Sequence, residues 1–159
     1  MMRALLVILF AAVSACTPAP PPNDPLNPTA PTESNPGANT PALAIKAFMD
    51  AIKAQDLDAL ALIWGSSEGP ADQVTPKDQL RKRELIIQCY FQHDSYRIVS
   101  DHAATTKMHA VTLSVTKGSF TRETTTKVVL GPHDRWYVAE PDLQPLADLC
   151  SGSSNTPNN

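Results

Sequence analysis

Met108-His109-Ala110-Val111-Thr112-Leu113-Ser114-Val115-Thr116 alternates apolar and polar residues from Val111 onward. Successive side chains of an extended chain point to opposite faces, so Val111, Leu113 and Val115 share one side and Thr112, Ser114 and Thr116 the other. That is a strand with one buried and one wet face, the pattern of an antiparallel sheet. Tyr96 to Ser100, Phe120 to Leu130 and Trp136 to Glu140 are likewise rich in Val, Thr and aromatics. Short turns such as Lys117-Gly118 and Gly131-Pro132-His133-Asp134 separate them, and the four segments together predict an antiparallel meander.

A sheet with one apolar face needs cover, and the residues before it supply helices. Thr40 can cap a helix with Pro41 in its first position, after which Ala44, Ile45, Phe48, Ala51 and Ile52 recur at helical spacing. Asp56 can cap a second, shorter helix carrying Leu57, Leu60, Ala61 and Trp64, which Gly65 would end. The stretch to Val74 predicts a loop. Thr75-Pro76-Lys77-Asp78 repeats the start signal, with Asp78 placed to return a capping hydrogen bond, and predicts a third helix to about Cys89 or Phe91. The expected fold class is α+β, N-terminal helices packed on a four-stranded antiparallel sheet.

Ala47-Phe48-Met49-Asp50-Ala51-Ile52-Lys53-Ala54-Gln55-Asp56-Leu57-Asp58-Ala59-Leu60, followed far downstream by Arg135-Trp136-Tyr137-Val138, resembles the NTF2-like (cystatin-like superfamily) domains, particularly the small ones carried by bacterial lipoproteins. The resemblance covers about the whole domain. It implies a curved sheet wrapped around helices, a cone whose mouth holds a small apolar ligand in some members, and sheet-mediated homodimers in others. Some members are isomerases or dehydratases and many have no known chemistry, so the fold alone does not give the function.

Upstream of the helices the composition changes. Thr17 to Pro41 contains nine prolines, with much Asn and Thr and almost no large apolar residue. Such a segment buries too little surface to fold, and proline stiffens it into a spacer of at most roughly 75 Å. A proline-rich ligand for a recognition module is the alternative, but no basic residue beside these prolines would orient it. Ahead of the spacer, Met1-Met2-Arg3 form a short positive end, followed by the apolar run Ala4 to Val13 and the small residues Ser14 and Ala15. This is the order of an export signal, and the run is half the length of about 20 residues that a membrane-spanning helix needs.

Val13-Ser14-Ala15-Cys16 resembles the lipobox of bacterial lipoproteins. The resemblance implies cleavage between Ala15 and Cys16 and acylation of Cys16, with several acyl chains holding the mature protein to a membrane at about 0.8 kcal/mol per buried methylene. An ordinary secretory signal with a chance cysteine is the competing reading. Thr17 after the cysteine, under the enterobacterial sorting rule, implies the outer membrane facing the periplasm. The organisation read from the chain is a signal at 1–15, lipidated Cys16 and tether at 16–41, a domain at 42–150 and a polar tail at 151–159.

Export makes thiols prone to pair, and with Cys16 acylated Cys89 and Cys150 remain as a candidate disulfide that fastens the C-terminus. Closing a loop of that length is worth about 4 kcal/mol on the chain-entropy account. Two separate thiols, with Cys89 a small core residue, is the other reading. No short Cys spacing or nearby His suggests a metal site, and no metal or cofactor is expected. Loss of Arg3 with the signal leaves 12 basic and 16 acidic residues, a net of −4, which gives no reason to expect nucleic acid. The one basic cluster, Arg81-Lys82-Arg83, reads as a solvated helix face.

One side chain is a candidate for catalysis. His109 has the parity of Val111, Leu113 and Val115, and an imidazole at a pocket could move a proton near neutral pH, with Tyr96, Tyr137 and Asp50 as conceivable companions. A lone His of that parity more often sits satisfied at a strand end. His93 and His133 fall in turns and His102 at a strand end, while Asp94 and Asp134 read as turn residues. Trp64 and Trp136 read as core. Phosphate loop, nucleophile elbow and His-Glu metalloprotease motifs are missing from the sequence. The expectation is a lipid-anchored, non-catalytic envelope protein that binds a protein partner or a small apolar ligand, or serves as a scaffold. An isomerase or dehydratase working by general acid and base is the alternative.

Overall fold

The computed structural model describes residues 36–151. The expected signal at 1–15, Cys16, the expected tether as far as residue 35 and the expected tail beyond Ser151 lie outside the described residues.

Thr40 is extended, and its hydroxyl accepts a hydrogen bond from Leu43 N at 3.2 Å, satisfying one donor that a helix start leaves open. With Pro41 in the first position, helix α1 (Pro41–Ala54) turns Ala44, Ile45, Phe48, Met49 and Ile52 into the interior. Gln55 takes a left-handed conformation and ends it. The Asp56 carboxylate then accepts from Ala59 N at 2.9 Å and starts α2 (Leu57–Ile63).

The third start differs from its sequence reading. Pro76, not Thr75, is the residue before α4 (Lys77–Phe91), and no side chain caps that end. Thr75 lies one residue too far out, and its N–H is taken by Ala71 O at 3.0 Å, closing a one-turn helix α3 (Ala71–Val74). The stretch expected to be loop also holds a miniature hairpin, β1 (Gly65–Ser66) and β2 (Gly69–Pro70). Its first residue must be glycine: a Cβ on Gly65 would lie 2.3 Å from Gly69 O.

Four strands follow, β3 (Ser95–Thr105), β4 (Met108–Lys117), β5 (Phe120–Leu130) and β6 (Trp136–Ala139), in the order β3-β4-β5-β6 with antiparallel neighbours. The domain is α+β, as expected. Val111, Leu113 and Val115 are buried against α1 and α4, where Phe48 and Phe91 meet edge to face at 5.4 Å. Opposite them on β5, the inner face carries Thr126 and Thr124, both buried. Their hydroxyls donate to Ala139 O and Asp142 O at 3.0 and 2.5 Å, so neither leaves a polar atom stranded. On the outer face Thr112 and Thr116 pair with Thr125 and Thr121. Ser114 on that face is buried, not wet, lying between Arg97 and Glu123, whose charged ends approach to 3.8 Å.

Two boundaries shift. β3 continues five residues past Ser100, so that His102 lies within the strand. This half is an exposed outer edge with no apolar period, and pairing with β4 alone holds it. Packing against the domain also starts before residue 42. Gly37 N donates to Leu62 O, Ala38 exchanges two backbone hydrogen bonds with Trp136, and Tyr137 Oη donates to Pro36 O. This strap requires Gly37, whose φ is +79° and whose Cβ would sit 2.8 Å from the Tyr137 ring. At the other end Cys89 and Cys150 are joined by a disulfide, Cα atoms 4.9 Å apart, which clips α5 (Ala147–Cys150) to α4.

Candidate functional site

His109 lies near the start of β4 on the inner face, two residues before Val111. Asp101 faces Val111 across the β3–β4 ladder, so both side chains fall on one side. They meet: His109 Nδ1 is 2.6 Å from Asp101 Oδ1, with the imidazole 23% and the carboxylate 33% exposed. On its other flank the ring stands edge to face against Trp136 at 5.1 Å. A carboxylate on Nδ1 fixes the tautomer and leaves Nε2 as the nitrogen available to a proton or a partner. Asp101 was not named from the sequence. The bulge between Ile98 and Ser100 changes the parity of β3, so counting by twos from Tyr96 places Asp101 on the wrong face.

The expected companions go elsewhere. Tyr96 faces Val115, six residues along β4 from His109, a separation of roughly 20 Å at the rise of a strand. It stands against His93, and burial, with Asp50 nearby, raises its phenol above the usual range. Asp50 accepts from Lys46 at 2.5 Å. Tyr137 lies on the opposite sheet face, sealed by the Pro36 strap. His93 sits in the turn after α4, as read, but is buried; its Nδ1 is 2.9 Å from Phe91 O, and desolvation holds it below the usual imidazole range. Asp94 is a turn residue whose carboxylate accepts from Gly118 N at 2.7 Å.

The space that the NTF2-like resemblance assigns to an apolar ligand, between helices and inner sheet face, is occupied by side chains. Ile45, Phe48, Met49, Ile52, Phe91 and Leu113 are all fully buried there. A cavity of about 410 Å³ lies instead in the helical layer, between α2, α3 and α4. Glu84 lines it and is 2% exposed, in a position of α4 that shares the buried stripe of Leu80, Ile87 and Phe91. Sequence reasoning missed it, although a carboxylate four residues after one core leucine and three before a core isoleucine was a signal. Among the described residues, no cluster of His, Cys, Asp or Glu could hold a metal ion, and no helix is long and apolar enough to cross a membrane.

Helices laid on a four-stranded antiparallel meander, with a His-Asp pair at the sheet rim and a cleft among the helices, define the class of this α+β domain. No family model matches the sequence, and no curated protein matches it. The chain is similar to a solved structure described as an NTF-2 like protein of unknown function from Shewanella oneidensis MR-1, with 14% sequence identity, 62% of this chain and 95% of that chain covered, and a TM-score of 0.40.

Proposed function

We propose that this chain is a lipid-anchored envelope protein whose domain binds a partner and carries out no reaction of its own. The observation that carries the reading is the sequence Val13-Ser14-Ala15-Cys16 at the end of a ten-residue apolar run. Two features of the fold support it. The Cys89–Cys150 bridge suits an oxidising compartment outside the cytoplasm. The filled interior leaves the His109–Asp101 pair at a rim and not in a closed chamber, where excluded water would strengthen acid-base chemistry. In this reading the proline-rich stretch between Cys16 and Pro36 spaces the domain from the outer membrane, with the domain facing the periplasm. The partner is a protein, or a ligand taken by a surface cleft, in preference to an apolar molecule inside the cone.

The test is metabolic labelling with a radioactive fatty acid. Label incorporated into the wild-type chain and lost from Cys16→Ser, with the variant released from membranes, is the expected result. Label that persists in Cys16→Ser, or an unmodified mature mass, overturns it.

A second reading, an isomerase or dehydratase using general acid and base, is favoured by one observation: the 2.6 Å contact that orients His109 with Nε2 left over.

A further inference from the structure

We propose that the cleft between α2, α3 and α4 binds a small organic cation, an alkyl ammonium or guanidinium group, on the unpartnered Oε1 of Glu84. The argument starts from the satisfaction of one carboxylate. Glu84 Oε2 accepts a hydrogen bond from Arg81 at 3.4 Å, a long one, whereas Oε1 is buried with no hydrogen-bond partner. Leaving a buried acceptor unmade costs more than most single hydrogen bonds contribute, and more still when the group is ionised. Arg81 does not neutralise it alone: its guanidinium is half exposed and also lies 3.7 Å from Asp58.

The charges around the cleft point to the sign of the missing partner. Asp58 comes from α2, Asp72 from α3 and Glu84 from α4, against Lys77 and Arg81, both from α4. With Glu84 ionised the lining carries one net negative charge. An ionised carboxylate oxygen only accepts, so its complement is a donor, and a donor with positive charge answers both deficits. Ala61 and Leu80 provide an apolar wall for a short alkyl stem. A cavity of about 410 Å³ lies within the range of small-molecule sites, toward its lower end.

Before a ligand arrives, burial favours a proton on Glu84. Desolvation raises its pKa above the usual carboxylate range, Arg81 opposes this, and Asp58 and Asp72 add to it. A cation therefore competes with that proton, and binding tightens as pH rises until Glu84 is fully ionised. All of these residues lie between positions 58 and 84, so the inference stands whether or not Cys16 is acylated.

The experiment is a titration of the full chain in detergent with n-butylammonium chloride, read by amide NMR shifts in α2 and α4, with n-butanol and sodium chloride as controls. Saturable shifts with the ammonium alone are expected, with about tenfold weaker binding in Glu84→Gln and no change in Asp101→Asn. The wild-type affinity should increase from pH 4.5 to pH 8, a measurement that does not depend on the variant folding. Shifts of equal size with n-butanol would show that water or any hydroxyl satisfies the site, and would overturn the proposal. So would unchanged affinity in a folded Glu84→Gln, a pH-independent affinity, or no saturable shift.

Discussion

Asp101 and Glu84 each lean on a nitrogen base, but they occupy opposite regions of the molecule and meet opposite fates. Asp101 stands at the rim of the sheet, one third exposed, with His109 at 2.6 Å and water within reach of its remaining lone pairs. Glu84 stands in the helical layer, almost wholly buried, with one oxygen 3.4 Å from Arg81 and the other with nothing. On the sheet side the inner face is packed, with Val111 and Leu113 in one core with the aromatic pair of Phe48 and Phe91. Around Glu84 the helices leave a cleft. A polar group whose bonding capacity is met within the fold is explained by the fold, whereas one that is buried and incompletely met is a place where something external is energetically wanted.

The largest expected effect separates the two regions by packing alone. Phe48→Ala removes a fully buried ring from a filled core and should destabilise the domain by about 4 kcal/mol. Leu80→Ala, on the wall of an open cleft, should fall toward the low end of the range for such truncations, about 2 kcal/mol. Urea unfolding of both variants, with midpoints compared at equal slopes, checks this. Equal losses would mean that the helical layer is packed as tightly as the sheet side, and the contrast between the regions would disappear.

The contrast also shows which features sequence can carry. The helix starts at Thr40 and Asp56 were legible because each is a local hydrogen bond between a side chain and a backbone three residues on. The meander was legible because burial of Val111, Leu113 and Val115 leaves a period of two. The outer half of β3 was not, since an edge strand with both faces exposed imposes no period, and Asp101 was lost with it. Pro36 to Asn39 look like linker in sequence because they are proline, glycine, alanine and asparagine, yet backbone groups of Gly37 and Ala38 pair with Leu62 and Trp136, residues too distant for any local pattern. Position 109 was found by parity, but its partner depended on a bulge. Glu84 fell inside a correctly predicted helix, and reading only the apolar members of the stripe passed over it.

A smaller effect tests the helical side by charge. The pKa of Glu84 is raised on folding above its unfolded value near 4.5, mainly by burial, so its favourable contribution is present below about pH 4.5 and is lost as pH rises through the folded value. His93 works in the other sense. Its folded pKa is lowered from 6.5 by burial, so its contribution is present above that pH and is lost as pH falls. Comparing Glu84→Leu with wild type at each pH cancels the histidine. The variant should gain stability relative to wild type as pH rises, reaching about 2 kcal/mol by pH 8, because a hydrophobic replacement for a poorly compensated buried charge is commonly stabilising. A difference that stays flat from pH 4.5 to 8 would show that Glu84 is as well satisfied as Asp101.

The smallest effect belongs to the sheet rim and decides what the His-Asp pair is for. His109→Ala takes away a partly exposed charge-assisted contact and one edge of the Trp136 ring contact, while Asp101 keeps access to water. The loss should be about 1 kcal/mol, in the range of exposed pairs and single aromatic contacts and not of core truncations. Thermal unfolding gives that number, and Trp136 fluorescence reports whether the indole moves. Because the fold survives such a loss, the same variant isolates chemistry. Should any isomerase or dehydratase turnover be found, a catalytic Nε2 requires a fall of roughly a hundredfold or more in His109→Ala, with a smaller loss in Asp101→Asn, where the ring remains but its orientation is relaxed. Unchanged turnover would leave the pair as a strand-edge clasp. In that case Asp101 is explained by satisfaction within the fold, and Glu84 stands apart as the carboxylate whose bonding capacity the fold leaves unmet.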